Sequence, residues 1–306
     1  MYRHPVPAWA SGLLLLLVFL APPAQAFSLF KIFGVGASRE LTVTYTSPDW
    51  PAPLKGDLYL PEAKAAAPYP VVLVLHGGAW RRGDRGNMKR LGQVLAERGY
   101  AAFAIDYRLA PQFRHPAQLE DMQQALRWLQ QHAEEQRLDM ARVAAWGYSA
   151  GGHLAALLAV QKPVEGLPPL RAVIAGGTPA DLRRYPDASS VKGFLGGPLA
   201  AMPEVYAAAS PLAQVRAGLP PFFLYHGSAD DLVEAGQSEQ FAEALKAAGV
   251  PVELHLLEGA NHRTAAGRAR QLLPAALQFL GQHVTADERP PAAETARNEQ
   301  PDKVGH

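Results

Sequence analysis

Cysteine is absent from this 306-residue sequence, which excludes a disulfide framework, a thiolate-held metal and a lipid-modified cysteine behind a leader. An excess of either charge is lacking too. Lys and Arg number 29 against 28 Asp and Glu, the formal net charge is +1, and no basic run or stripe is present. No nucleic-acid partner is therefore expected. Long apolar runs are also missing: residues 13–20 form a short one, well below the ~20 residues that a membrane helix needs. That run follows Arg3 and precedes Ala24-Gln25-Ala26, a small-x-small cleavage site. The pattern predicts a signal peptide over 1–26 and a mature start at Phe27. It implies export to a periplasm or the outside, with no stable membrane insertion after cleavage. At the other end, 284–306 is rich in proline and charge without apolar periodicity, which predicts a disordered tail.

What remains, 27–283, suits one large α/β domain. Residues 41–45 and 55–60 alternate apolar and polar and read as an antiparallel edge pair. Continuous apolar runs at 70–75 and 101–105 read as strands buried on both faces, and 143–146, 172–175, 222–225 and 252–257 read as further strands. Between them apolar residues recur at helical spacing, as in Leu119, Met122, Leu126 and Leu129. Such alternation predicts a mostly parallel central sheet with helices on both faces. Ligands of such sheets sit at the carboxyl ends of the strands. Residues 178–219 form a lid-like insertion after one strand. Its Tyr185, Phe194, Leu195 and Tyr206 either line an apolar pocket or pack the insertion itself.

The chemistry centres on Gly147-Tyr148-Ser149-Ala150-Gly151, placed between an apolar run and a helix-compatible run. A serine on so sharp a turn needs neighbours two residues away without side chains, hence the glycines. A serine hydroxyl is a poor nucleophile near neutral pH and needs a base, an acid that orients the base, and donors for an oxyanion. Among the histidines after Ser149, only His262 lies in a loop just past a strand, with freedom to reach across. The acid is expected from Ala229-Asp230-Asp231, with Asp230 preferred, Asp231 second and Asp181 a distant third. The string His76-Gly77-Gly78-Ala79-Trp80 lets backbone N–H groups approach an oxyanion without obstruction. Gly78, Ala79 and Ala150 are the expected donors, with the Trp80 N–H as a substitute. Trp80 and Tyr148 are expected to contact substrate.

These segments resemble the α/β-hydrolase fold, and within it carboxylesterases with a His-Gly-Gly-x-Trp motif, including bacterial feruloyl- and acetyl-xylan-esterase-like proteins and arylformamidases. The likeness covers roughly 41–281 and rests on 76–80, 106–111, 147–153, 226–233 and 259–262 together. It implies Ser149 as nucleophile, Asp230 as acid in His-Gly-x-x-Asp-x-x-Val, and His262 as base. It also implies that Asp106, Tyr107 and Arg108 hold the loop beside the oxyanion turn. Position 79 is Ala where lipase-like members carry a further Gly, which weakens a bulky-acyl reading. The expected activity is serine carboxylesterase action on small-molecule or carbohydrate esters of short-chain or aryl type, with no metal or organic cofactor. Arylformamidase action and a non-catalytic binding module on the same scaffold are the alternatives. A peptidase of this fold would need a large extra domain, for which the chain has no room.

Overall fold

The computed structural model describes residues 38–62 and 68–285. The leader expected at 1–26, its cleavage site, and 286–306 of the expected tail lie outside the described residues. An antiparallel pair comes first, β1 (Arg39–Thr44) and β2 (Lys55–Leu60). Then strands and helices alternate: β3 (Tyr69–Leu75), α1 (Lys89–Glu97), β4 (Ala101–Ile105), α2 (Ala117–Gln131), β5 (Leu138–Tyr148), α3 (Ala150–Val160) and β6 (Leu170–Gly176). After β6 come the short helices α4 (Ser189–Leu195) and α5 (Pro203–Ala208), then β7 (Phe222–Gly227) and α6 (Gly236–Ala247). The last elements are β8 (Val252–Leu257), α7 (His262–Arg268) and α8 (Leu273–Leu280).

The eight strands form one sheet in the order β1-β2-β4-β3-β5-β6-β7-β8. Pairing is antiparallel from β1 through β2 to β4 and parallel everywhere else. Period-two geometry sorts the apolar runs onto the two faces. Val71, Leu73, Val143, Ala145, Val173, Phe222 and Leu224 join one core, shared with residues of α2, α3 and α6. Their neighbours Val72, Val74, Ala144, Trp146, Ile174 and Phe223 join the other, shared with α1 and α8. Each Val, Leu, Ile or Phe among them contributes about 1.5–3 kcal/mol by leaving water. This explains why central strands carry no polar face while β1, at the edge, is largely exposed. The mostly parallel sheet with helices on both faces is the architecture the sequence predicts.

The segment 178–219 is not irregular throughout, because α4 and α5 lie within it. Phe194, Leu195 and Tyr206 are buried in the main core, and Tyr185 packs at its margin. Their apolar surface therefore serves packing. The final helical turn, Gly281–Thr285, carries Val284 inward, so helix extends slightly past the boundary expected at 283.

Candidate active site

β5 ends in the middle of the sheet, and the chain turns straight into α3. Ser149 sits at that turn with φ 57° and ψ −123°. Its N–H donates to the Gly176 carbonyl at 2.7 Å. The flanking glycines are steric necessities. A Cβ on Gly147 would stand 2.2 Å from Gly151 backbone atoms, and one on Gly151 would stand 2.2 Å from the Leu75 carbonyl oxygen. Real Cβ atoms do not approach so closely, so the turn closes only with glycine at both places.

His262 opens α7, just past β8, behind the capping box of Asn261 and Thr264. Its Nε2 lies 2.9 Å from Ser149 Oγ and its Nδ1 lies 2.6 Å from Asp230 Oδ2. A carboxylate only accepts, so Nδ1 donates and Nε2 is free to accept the serine hydroxyl proton. Asp230 follows β7 and is 7% exposed. Its Oδ1 accepts the amides of Leu232 and Val233, at 3.0 and 2.9 Å. Its Oδ2 accepts His262 Nδ1 and, at 3.2 Å, His226 Nε2. Burial pushes this carboxyl up. The hydrogen bonds from His226, His262 and Val233 outweigh it and hold the group well below the ordinary carboxylate range. His226 is itself buried. Its Nε2 is shared with the Val233 carbonyl and its Nδ1 meets Ser238 Oγ on α6. Asp231 is exposed, and Asp181 caps a 3-10 turn and pairs with Arg183, so neither approaches the imidazole's place.

Beside Ser149 runs the 76–80 turn. A Cβ on Gly77 would lie 2.9 Å from the Tyr148 carbonyl oxygen and 3.5 Å from Ser149 Cβ, so this turn and the serine turn touch through backbone. Gly78, Ala79 and Trp80 all have positive φ, at 127°, 54° and 59°. For the two non-glycines this costs about 1–2 kcal/mol each, which the surroundings must offset. The Gly78 carbonyl accepts from Arg81 and Arg82, and the Trp80 carbonyl accepts from Ala110. Among the described residues the amides of Gly78 and Ala79 donate to no internal acceptor. Ala150, first in α3, has no intrahelical acceptor for its N–H. His76 is buried, donates from Nδ1 to the Gly77 carbonyl and stacks on Tyr107, whose hydroxyl returns a bond to the His76 carbonyl. Asp106 holds Arg85, and Arg108 is bound by Asp121 and Glu120, so the 106–111 segment buttresses this turn.

One expected substrate contact, that of the Trp80 ring, needs correction. Trp80 is only 3% exposed. Its ring stacks on Phe194 at 4.6 Å and its Nε1 donates to His153 Nδ1, so the indole is committed to packing behind the turn. Tyr148 is half-buried and donates its hydroxyl to the His262 carbonyl at 2.5 Å, so it steadies the loop that carries the imidazole. That bond spans 114 residues and has no local signature in the sequence. The His226 contact to Asp230 does have one, in the His-Gly-x-x-Asp spacing. Among the described residues no group of three or more His, Asp or Glu could hold a metal ion, and no helix is long and apolar enough to cross a membrane. A cleft of about 690 Å³ lies at the opposite, amino ends of β6 and β7, lined by Leu158, Leu167, Arg171 and Leu219, far from Ser149.

Comparison with known proteins adds three findings. The BD-FAE family pattern matches residues 56–245. The probable carboxylic ester hydrolase LipM of Mycobacterium tuberculosis is 30% identical over 72% of this chain and 56% of its own length. The chain thus spans about half the length of the curated relatives it matches first. A thermophilic esterase from Thermogutta terrifontis superposes with a TM-score of 0.67 at 29% identity, covering 81% of this chain and 95% of that one. That esterase is also known with propionate and with butyrate bound. An acetyl ester-xyloside bifunctional hydrolase from Caldicellulosiruptor lactoaceticus superposes with a TM-score of 0.67 at 25% identity, covering 78% and 91%.

Proposed function

The chain belongs to the BD-FAE family, with the fold of α/β-hydrolases, and from that premise we propose that it is a serine carboxylesterase acting on short-chain esters. One observation carries the reading: a single imidazole, on His262, bonds both Ser149 Oγ and a buried, ionised Asp230. In this reading Ser149 Oγ attacks the ester carbonyl carbon while His262 Nε2 takes its proton. The carbonyl π electrons move to oxygen, and the free amides of Gly78, Ala79 and Ala150 receive that oxyanion. Asp230 holds the imidazole with Nδ1–H toward itself and stabilises the imidazolium. Collapse of the tetrahedral intermediate breaks the C–O bond, and His262 gives its proton to the departing alkoxide. Water then repeats the sequence on the acyl-serine, releasing acid and free Ser149.

Short acyl groups are favoured because Phe194, Leu195 and Tyr206, three of the large apolar residues of 178–219, are consumed in packing. The propionate and butyrate complexes of the Thermogutta relative support the same class. Acetylated carbohydrate is the substrate to try next, on the likeness to the xyloside hydrolase. The basic start, short apolar run and Ala-x-Ala site of 1–26 support export as part of this reading.

The test is hydrolysis of p-nitrophenyl esters from acetate to decanoate, beside N-formylkynurenine, by wild type and Ser149→Ala. Turnover highest at acetate to butyrate and absent in the variant is expected. Retained turnover in Ser149→Ala, or preference for the formamide, would sink the assignment.

A further inference from the structure

The 76–80 turn holds two consecutive non-glycine residues at left-handed φ, Ala79 and Trp80, beside the serine. Something must keep them there, and the contacts of the Trp80 ring identify it. An indole N–H can only donate, and here it points at His153 Nδ1, 3.2 Å away. A backbone carbonyl can only accept, and that of Ala209, just past α5, lies 2.7 Å from His153 Nε2. His153 must therefore be neutral, with its proton on Nε2. A proton on Nδ1 would set two N–H groups against each other. The imidazole is 0% exposed, and burial holds its pKa down at about 3. His153 sits one turn into α3, and its own N–H donates to the Ser149 carbonyl at 2.9 Å. Phe194 of α4 closes the cluster, stacked on Trp80 and edge-on to His153.

We propose that His153 is a positioning residue: through the Trp80 indole it holds the Gly78–Ala79 amides in register with Ser149, and through Ala209 it ties that register to the 178–219 segment. The proposal rests on the esterase reading and adds a role for a histidine that touches no substrate. Three elements meet at one ring: the helix carrying the serine, the turn carrying the free amides, and the insertion over the strand ends. The ring has no spare donor or acceptor, so it has only one way to be placed.

The test compares wild type, Trp80→Phe, His153→Leu and the double variant on p-nitrophenyl acetate. Trp80→Phe removes the donor and keeps a ring against Phe194, which guards against simple misfolding. Concentrations are normalised by labelling Ser149 with a fluorophosphonate. Each single variant is expected to lose about 10–100-fold in kcat, in line with displaced oxyanion donors, while KM stays within about threefold. Affinity for a trifluoromethyl ketone, whose adduct carries an oxyanion, falls in proportion to kcat/KM. The double variant is no worse than the poorer single, since both cut one link. Variants with lowered Tm but unchanged kcat and inhibitor affinity would show a purely structural histidine and overturn the proposal. In wild type, nitrogen-15 NMR is expected to show His153 as the neutral Nε2–H tautomer and a Trp80 indole proton protected from exchange. That spectrum needs no turnover. A wild type inactive on all esters refutes the esterase reading, whereas a Nδ1–H tautomer or an unprotected indole refutes the brace.

Discussion

Asp230 shows how much one side chain is asked to do. A carboxylate offers about four lone-pair directions. Asp230 fills them with two amides and two imidazoles. It is consequently both ionised and immobile, which is what fixes the proton of His262 on Nδ1. Asp230→Asn keeps the shape but presents an amide that can turn its N–H toward Nδ1 and favour the wrong tautomer. The expected result is a fall in kcat of roughly 10³–10⁴-fold with Ser149 still in place, measured by p-nitrophenyl acetate turnover beside a crystal structure of the variant. A loss under tenfold would mean that another group orients the imidazole. At this scale much was legible beforehand. Ser149 announces itself because only glycines permit its turn, and His262 because one histidine alone lies past a late strand end. The Trp80 ring is not legible in the sequence for a physical reason: a motif gives the address of an aromatic residue, but which side its ring faces is decided by a partner such as His153, 73 residues away.

Among elements, the strands were the most readable. An uninterrupted apolar run can be tolerated only where both faces are covered, and β3 to β7 satisfy this. The 178–219 segment was the least readable, because α4 and α5 are too short to display a period and take their shape from the core beneath. The contact of greatest consequence between elements is the crossing of α3 over the end of β3, where Gly151 meets the Leu75 carbonyl. Gly151→Ala places a methyl group 2.2 Å from that oxygen. Neither backbone can yield without opening the serine turn. The expected outcome is a Tm drop of at least 5 °C, equivalent to about 2 kcal/mol or more in a domain of this size, together with loss of fluorophosphonate labelling. A variant that labels at the wild-type rate would show that the turn tolerates relaxation. By contrast Gly99, Gly249 and Gly259 meet nothing within 4 Å and serve only their positive φ.

At the level of the whole molecule, acid should be a stronger stress than the near-zero net charge suggests. Burial lowers the pKa of His153 to about 3 and that of His115 to about 4, from an ordinary 6.5. Between those values and 6.5 the unfolded chain carries protons on these rings that the folded chain does not. Stability is therefore full above pH 6.5 and is lost as pH falls, by up to about 1.4 kcal/mol per pH unit for each such group. Asp230 adds a loss of the same sign at lower pH, once the solution falls below the ordinary carboxylate range. Chemical denaturation at pH 7, 5.5 and 4.5 is expected to show a steep decline, made shallower by His153→Leu. A slope unchanged in that variant would assign the acid sensitivity elsewhere.

The serine, the acid and the base come from the ends of β5, β7 and β8, and the decisive bond joins residues 113 apart. A chain growing from its amino end makes the nucleophile long before it makes the base. Until β8 pairs with β7, Ser149 is an ordinary alcohol. On the proposed esterase reading, the order of the chain thus makes hydrolysis a property of the closed sheet, unavailable to any shorter piece that lacks His262.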